Sequence, residues 1–370
     1  MNLSNLINLS HKYGNDPDFV LAGGGNTSYK ENGVLAVKGS GSSLATISDA
    51  QFVRMDIAAL HTILQKNYPS QDAARESAAL ADMLAARLPG EEQKRPSVEA
   101  VLHALFPYSL VVHTHPYAVN ALTCAADAKQ TCTKLFGDSA LWIELIKPGY
   151  VLSAVCSERF AAYAEKNGRF PQVVLLQNHG MFIAANTPDE IDSLTAQVMD
   201  ILRQHINVKA DFSAVQADGN TVETISATLK QVYAPDGRAT ASFFTNTEIQ
   251  KLVRNEHTMR PLMRPLTPDH IVYCRHVPLF AHTKQDLAEK FAQYTAEHGF
   301  SPKIVAMQNL GIFALGHTEK EAQTAKLLCL DTINIAIATQ NFGGLNPLPD
   351  EFVQFILNWE AESYRQKQNG

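Results

Sequence analysis

Leu110-Val111-Val112-His113-Thr114-His115-Pro116 is the stretch from which the fold can be read. Three apolar residues lead into two histidines, and Ser109 to His115 reads as a buried strand ended by proline. Side chains alternate along a strand, so His113 and His115 point to one side, about 6–7 Å apart along it. Two imidazoles side by side in a low-dielectric setting can share one metal ion, and a third ligand would leave a position open for chemistry. A lone core histidine is usually structural. A pair at i, i+2 on a strand end favours ligation.

Further along, Val173 to Gln177 and Met181 to Ala185 are two more buried strand candidates, separated by Asn178-His179-Gly180. A corner between strands can aim a side chain into a cleft, which makes His179 the candidate third ligand. Zinc on three imidazoles is a familiar catalytic arrangement, and Mn²⁺ or Co²⁺ suits similar donors. Thr187-Pro188-Asp189-Glu190 then opens a helix with Thr at the N-cap and Glu at N3, a capping box. Upstream, residues 20–29 and 33–38 read as strands around a turn. Residues 72–88 and 97–105 read as helices, stopped by Pro89-Gly90 and Pro107. Glu99 falls in the first turn of the second helix, where the helix dipole favours a carboxylate, a structural role that would account for it.

The second half echoes the first. Pro302-Lys303-Ile304-Val305-Ala306-Met307-Gln308-Asn309-Leu310-Gly311-Ile312-Phe313 repeats the pattern of Pro171-Gln172-Val173-Val174-Leu175-Leu176-Gln177-Asn178-His179-Gly180-Met181-Phe182 without a gap. Thr318-Glu319-Lys320-Glu321 repeats the capping box. Leu310 stands where the first copy has His179. Tyr273-Cys274-Arg275-His276 roughly matches Val112-His113-Thr114-His115 with only the last histidine kept. The expected organisation is a catalytic part over residues 1–210, a polar linker or surface excursion over 211–240, and a degenerate copy over 241–370 kept for packing or assembly.

Composition narrows the class. The 370 residues are 45% hydrophobic and 18% charged, with a formal charge of −6. That balance suits a globular protein with a sizeable core and carries no basic footprint for nucleic acid. No run is long enough to span a membrane, and residues 1–16 lack the apolar core of a signal peptide. Five scattered cysteines form no C-x-x-C pair, so a reduced, cytoplasmic protein is expected. Gly23-Gly24-Gly25-Asn26-Thr27-Ser28 and Lys38-Gly39-Ser40-Gly41-Ser42 are small-residue loops whose backbone N–H groups suit an anion, with Lys38 able to add charge. Neither is a dinucleotide fingerprint or a Walker loop, and each alone reads as a tight turn.

Gly25-Asn26-Thr27-Ser28, Pro96-Ser97-Val98-Glu99, His113-Thr114-His115-Pro116 and Asn178-His179-Gly180, in that order, resemble the class II aldolase/adducin family. Leu21 to Ser28, Val37 to Ser42 and Pro265-Leu266-Thr267-Pro268-Asp269-His270 bring the resemblance closest to the aldolase portion of the rhamnulose-1-phosphate aldolase/alcohol dehydrogenase group, over nearly the whole chain. The group's C-terminal dehydrogenase domain is expected to be absent, since the chain ends about where it would begin. The resemblance implies a three-layer α/β/α domain with a mostly antiparallel central sheet, plus a smaller degenerate α/β repeat. It implies Zn²⁺ or another divalent transition metal on His113, His115 and His179, with Glu99 as the acid/base residue. It also implies that Asn26, Ser40, Gly41 and Ser97 hold a substrate phosphate. One departure is Val98, where the fuculose-phosphate aldolase pattern has a second serine; Lys38 could compensate. The implied reaction is cleavage of a ketose 1-phosphate to dihydroxyacetone phosphate and an aldehyde, by a homo-oligomer acting on a small sugar phosphate. Sugar-phosphate epimerisation, sugar-acid decarboxylation and non-catalytic adducin-like binding are the alternatives.

Overall fold

The computed structural model describes residues 1–359, which divide into two compact units. The first comprises Met1–Thr123 with Asp127–His205. The second comprises Cys124–Ala126 with the described residues from Ile206 onward.

The first unit is built on a seven-stranded sheet. Its strands in chain order are β1 (Asn26–Glu31), β2 (Val34–Lys38), β3 (Phe52–Asp56), β4 (Leu110–Thr114), β5 (Leu141–Ile143), β6 (Val173–Leu176) and β7 (Gly180–Ala185). They lie in the order β3-β2-β1-β4-β7-β6-β5, antiparallel throughout except for the β5–β6 pair. The histidine strand β4 is therefore central, and all five of its residues are buried. Helices cover both faces, which gives the expected α/β/α layering. Ile57–Ile63, Ala100–Leu105 and Tyr150–Asn167 pack on the face that carries Val111 and Phe182. Ser4–Gly14, Tyr117–Thr123 and Pro188–His205 pack on the other.

Several local boundaries differ from the sequence reading for identifiable reasons. The first strand begins at Asn26 and not at Val20, because Ala22 and Gly25 take positive φ (53° and 65°) and turn the chain before it can extend. The helix read over 97–105 begins at Ala100, since the Ser97 amide instead donates to the Lys38 carbonyl at 2.9 Å. Glu99 thus precedes the helix, and its side chain caps nothing there. The capping box at Thr187 forms, with the Glu190 carboxylate accepting from the Asn186 and Thr187 amides.

The second unit has a four-stranded sheet made of β8 (Thr240–Phe244), β9 (Leu279–Ala281), β10 (Ile304–Met307) and β11 (Gly311–Gly316), in the order β8-β11-β10-β9. Its pairing matches β4-β7-β6-β5 strand for strand, including the one parallel pair at the edge. Leu176 pairs with Gly180 and Met307 with Gly311; Asn178 and Asn309 share a left-handed backbone, φ 54° and 57°.

Two expectations change here. Residues 211–240 hold a helix, Gly219–Tyr233, whose Ile225 and Leu229 are buried in the unit's core. Its apolar residues recur at helical spacing among polar ones, so overall polarity hid a packed face. The counterpart of the histidine strand is β8 and not Tyr273 to His276. Pro268 at the first helical position opens the helix Pro268–Cys274, which carries Tyr273 and Cys274 with it. Since Phe182 faces His113 and Phe313 faces Phe243, the place of His113 is taken by Phe243 and that of His115 by Thr245.

Phe106 is the hub of the first unit's core, edge-on to Phe160 at 4.8 Å and stacked on Phe182 at 5.8 Å. Phe106→Ala should destabilise that unit by about 3–5 kcal/mol. Urea unfolding followed by fluorescence and circular dichroism measures this, and a loss below about 1 kcal/mol would contradict the hub.

Candidate metal centre

Each histidine is placed by backbone that has little freedom. His113 lies between its cross-strand neighbours Asn26 on β1 and Phe182 on β7. Its ring stacks on Phe182 at 4.1 Å and is 1% exposed. Nδ1–H donates to the Met181 carbonyl at 2.9 Å, which fixes the tautomer and leaves the Nε2 lone pair facing the centre. His115 follows the end of β4, its amide donating to the Phe19 carbonyl. His179 sits in the β6–β7 corner, next to Asn178, whose left-handed backbone asparagine tolerates well.

Glycine permits the close approach. A Cβ on Gly180 would lie 2.5 Å from the Thr114 oxygen and 2.6 Å from the His115 ring. At Gly25 one would lie 2.7 Å from the His113 oxygen, and φ is already +65°. The result is a cluster in which one ligand atom from each of His113, His115 and His179 falls within 4.8 Å of the others. The Nε2 atoms of His113 and His115 are 2.9 Å apart.

Glu99 closes the cluster. It is 6% exposed, with Oε2 at 3.4 Å from His113 Nε2 and Oε1 at 3.5 Å from His179 Nε2. Asn26 Nδ2 donates to Oε2 at 2.6 Å, while buried Oε1 has no hydrogen-bond partner. Convergent imidazole nitrogens around a carboxylate oxygen left unsatisfied suit a divalent transition metal, which His113, His115 and His179 would hold.

Behind Glu99 runs a chain of hydrogen bonds that the sequence did not reveal. The Ser28 hydroxyl donates to His103 Nδ1 at 2.7 Å, His103 Nε2–H donates to Asn26 Oδ1, and Asn26 donates to Glu99. Burial, reinforced by the charge of Lys30 and by His113, holds His103 well below the ordinary histidine range, so it stays neutral. The signal was faint: Asn26 and Ser28 are two apart on one strand, and a histidine sits within an otherwise apolar helix.

The expected phosphate residues divide. Ser97 lies beside Glu99, its Oγ accepting from the Glu99 amide at 3.3 Å. The loop bearing Ser40 and Gly41 is stitched to the same segment, the Ser40 amide donating to the Arg95 carbonyl at 2.8 Å. Asn26 already uses its oxygen and one amide proton. Lys38 Nζ donates to the carbonyls of Gly23 and Gly25 at 3.0 and 2.8 Å, so the ammonium braces the glycine loop.

Fold and site together describe an α/β domain with a three-histidine centre and a carboxylate at its edge. Residues 4–206 match the Class II Aldolase and Adducin N-terminal domain, and the chain belongs to that family. Among individual proteins it is similar to the uncharacterized oxidoreductase YuxG of Bacillus subtilis (strain 168), 25% identical over 97% of this chain. The chain spans 57% of that relative's length. The N-terminal class II aldolase domain of a conserved Thermoplasma acidophilum protein is 25% identical over 56% of this chain and 94% of its own, with a TM-score of 0.48. An L-fuculose 1-phosphate aldolase is 18% identical over 55% of this chain and 86% of its own, with a TM-score of 0.36.

Gly180→Ala should push on His115 and weaken the affinity of the histidine cluster for a divalent metal by about 10–100-fold, measured by competition with a chelating dye. Affinity equal to wild type would show that the approach at Gly180 does not position the ligand. His103 gives a second expectation, about acid stability. Its folded value lies below the unfolded 6.5, so below that pH the unfolded chain binds the extra proton. Unfolding free energy should therefore fall as pH drops through that value, and His103→Asn should flatten the fall. Urea titrations on either side of it decide, with an unchanged slope counting against a neutral His103.

Proposed function

We propose that the protein is a metal-dependent aldolase that cleaves a ketose 1-phosphate, of the rhamnulose- or fuculose-1-phosphate type, reversibly to dihydroxyacetone phosphate and an aldehyde. The observation that carries this reading is Glu99, whose Oε2 is fixed by Asn26 while Oε1 faces a three-histidine cluster without a hydrogen-bond partner. A zinc or similar ion on His113, His115 and His179 would supply Lewis-acid polarisation of the substrate carbonyl. No Schiff-base lysine is then required.

Glu99 does the proton work in this proposal. With Oε2 anchored, Oε1 holds and moves the proton at the carbon where the bond breaks or forms, a role typically worth about 10²–10⁴-fold. Its burial keeps bulk water from competing for that proton. Ser28, His103 and Asn26 restrain the carboxylate from behind. The substrate phosphate is assigned to the Ser40 and Ser97 hydroxyls, the backbone at Gly41 and the remaining Asn26 amide proton. Val98 adds no donor, and Lys38 contributes by holding the loop.

The test is aldol cleavage by purified protein of rhamnulose 1-phosphate and fuculose 1-phosphate, with ribulose 5-phosphate as control. Dihydroxyacetone phosphate should form from a ketose 1-phosphate, stop with chelator and resume with zinc. Glu99→Gln should keep bound zinc and lose about 10²–10⁴-fold in kcat. Turnover of the pentulose alone, without carbon–carbon cleavage, would replace the aldolase with an epimerase. Protein that takes up no metal would point to a binding scaffold.

A further inference from the structure

The second unit has no counterpart of the three histidines, and it contains a cavity of its own. Leu262, Pro265, Pro278 and Ile304 give it apolar walls, and His270, Arg275 and His276 line it as well. The space for water-sized molecules is about 30 Å³, enough for one or two small polar groups.

Three nitrogens in these lining side chains are buried without hydrogen-bond partners: His270 Nδ1, Arg275 Nε and His276 Nδ1. Buried polar atoms are rarely left so unless a ligand or water satisfies them. His270 is 2% exposed, and its Nε2–H donates to the Asp331 carboxylate at 3.0 Å. That bond fixes the tautomer, so Nδ1 offers a lone pair to an incoming O–H. Arg275 lies over the Phe300 ring at 4.5 Å and pairs with no carboxylate among the described residues. The nearby carboxylates are committed elsewhere, Asp331 to His270 and Asp350 to Arg264. Burial first, then the neighbouring His298 and Arg275, lowers the His276 value, consistent with uncompensated positive charge around it.

We infer that this cavity is a binding site for a small hydroxylated oxyanion, its charge on Arg275 and its hydroxyl on His270 Nδ1. Protonated inorganic phosphate and short 2-hydroxy acids share that chemistry. The guanidinium fork suits two oxygens of either, and Leu262 and Ile304 would pack against the carbon end of an organic acid. The site lies wholly within the second unit and requires none of the residues assigned to aldol cleavage.

Isothermal titration calorimetry tests it on the full chain in the presence of EDTA, which removes binding through a metal ion, while the Arg275 variants separate the cavity from the phosphate residues Ser40, Ser97 and Asn26 of the first unit. Phosphate, glycolate and acetate are titrated separately. Phosphate or glycolate should bind, and acetate, which has no hydroxyl, should bind several-fold more weakly than glycolate; whichever of the first two binds more tightly identifies the source. Arg275→Gln should weaken binding roughly tenfold or more, while His179→Ala leaves it unchanged. Because Arg275 also packs on Phe300, Arg275→Lys is measured in parallel; it keeps the stem and charge and should lose affinity through loss of the fork. Wild-type affinity in both Arg275 variants, acetate binding as well as glycolate, or the absence of any EDTA-resistant binding would overturn the inference.

Discussion

A buried imidazole must have both nitrogens accounted for, and at His113 this requirement organises the first unit. Leaving one nitrogen unsatisfied in the core costs about 1–3 kcal/mol. Nδ1 meets the requirement with the Met181 carbonyl on β7, a bond that exists only while β4 and β7 keep their register. A slip of one residue would turn His113 to the opposite face and remove Phe182 from beneath its ring. The same register places Asn26 opposite His113, so β1 supplies the group that holds Glu99. Nε2 is left to the interior of the cluster, where the Nε2 of His115 stands 2.9 Å away. One strand register thus fixes imidazole, tautomer and carboxylate together.

What the sequence could disclose follows from the range of each interaction. The i, i+2 spacing of His113 and His115 is local, and so is the Asn178-His179-Gly180 corner; both were legible. Their convergence depends on β4 and β7 being neighbours, which the family resemblance implied and strand periodicity alone could not. Glu99 shows the limit. Its reading in the first turn of a helix suggested interaction with the dipole, yet it stands just ahead of that helix and its carboxylate turns to Asn26, 73 residues away in the chain. The His103 relay was illegible for the same reason, because each of its bonds joins residues more than 70 positions apart. The helix Gly219–Tyr233 failed differently: its buried stripe is narrow, and averaging over 211–240 diluted it.

The second unit shows which parts of the motif are structural. The corner keeps Asn309 with positive φ and Gly311 in register, and the Gln308 amide still donates to Ala281 as the Gln177 amide does to Ile143. Asparagine and glycine are therefore demanded by the turn, whatever stands between them. The chemistry-bearing positions do not keep their imidazoles and become Phe243, Thr245 and Leu310. Phe243 then meets Phe313 at 4.9 Å, an apolar contact where the first unit stacks His113 on Phe182.

That replacement also argues for what the histidines do. If the imidazoles were needed to close the β4–β7 pair or to fill the corner, a unit with the same pairing could not dispense with all three. It dispenses with them and keeps the sheet, because phenylalanine supplies the packing at lower desolvation cost. In the first unit the imidazoles retain that cost, and the Ser28–His103–Asn26 chain is added to restrain one carboxylate beside them. Polar groups that packing does not require, held in fixed tautomers around an unsatisfied oxygen, are the expected form of a site arranged to bind a cation and move a proton.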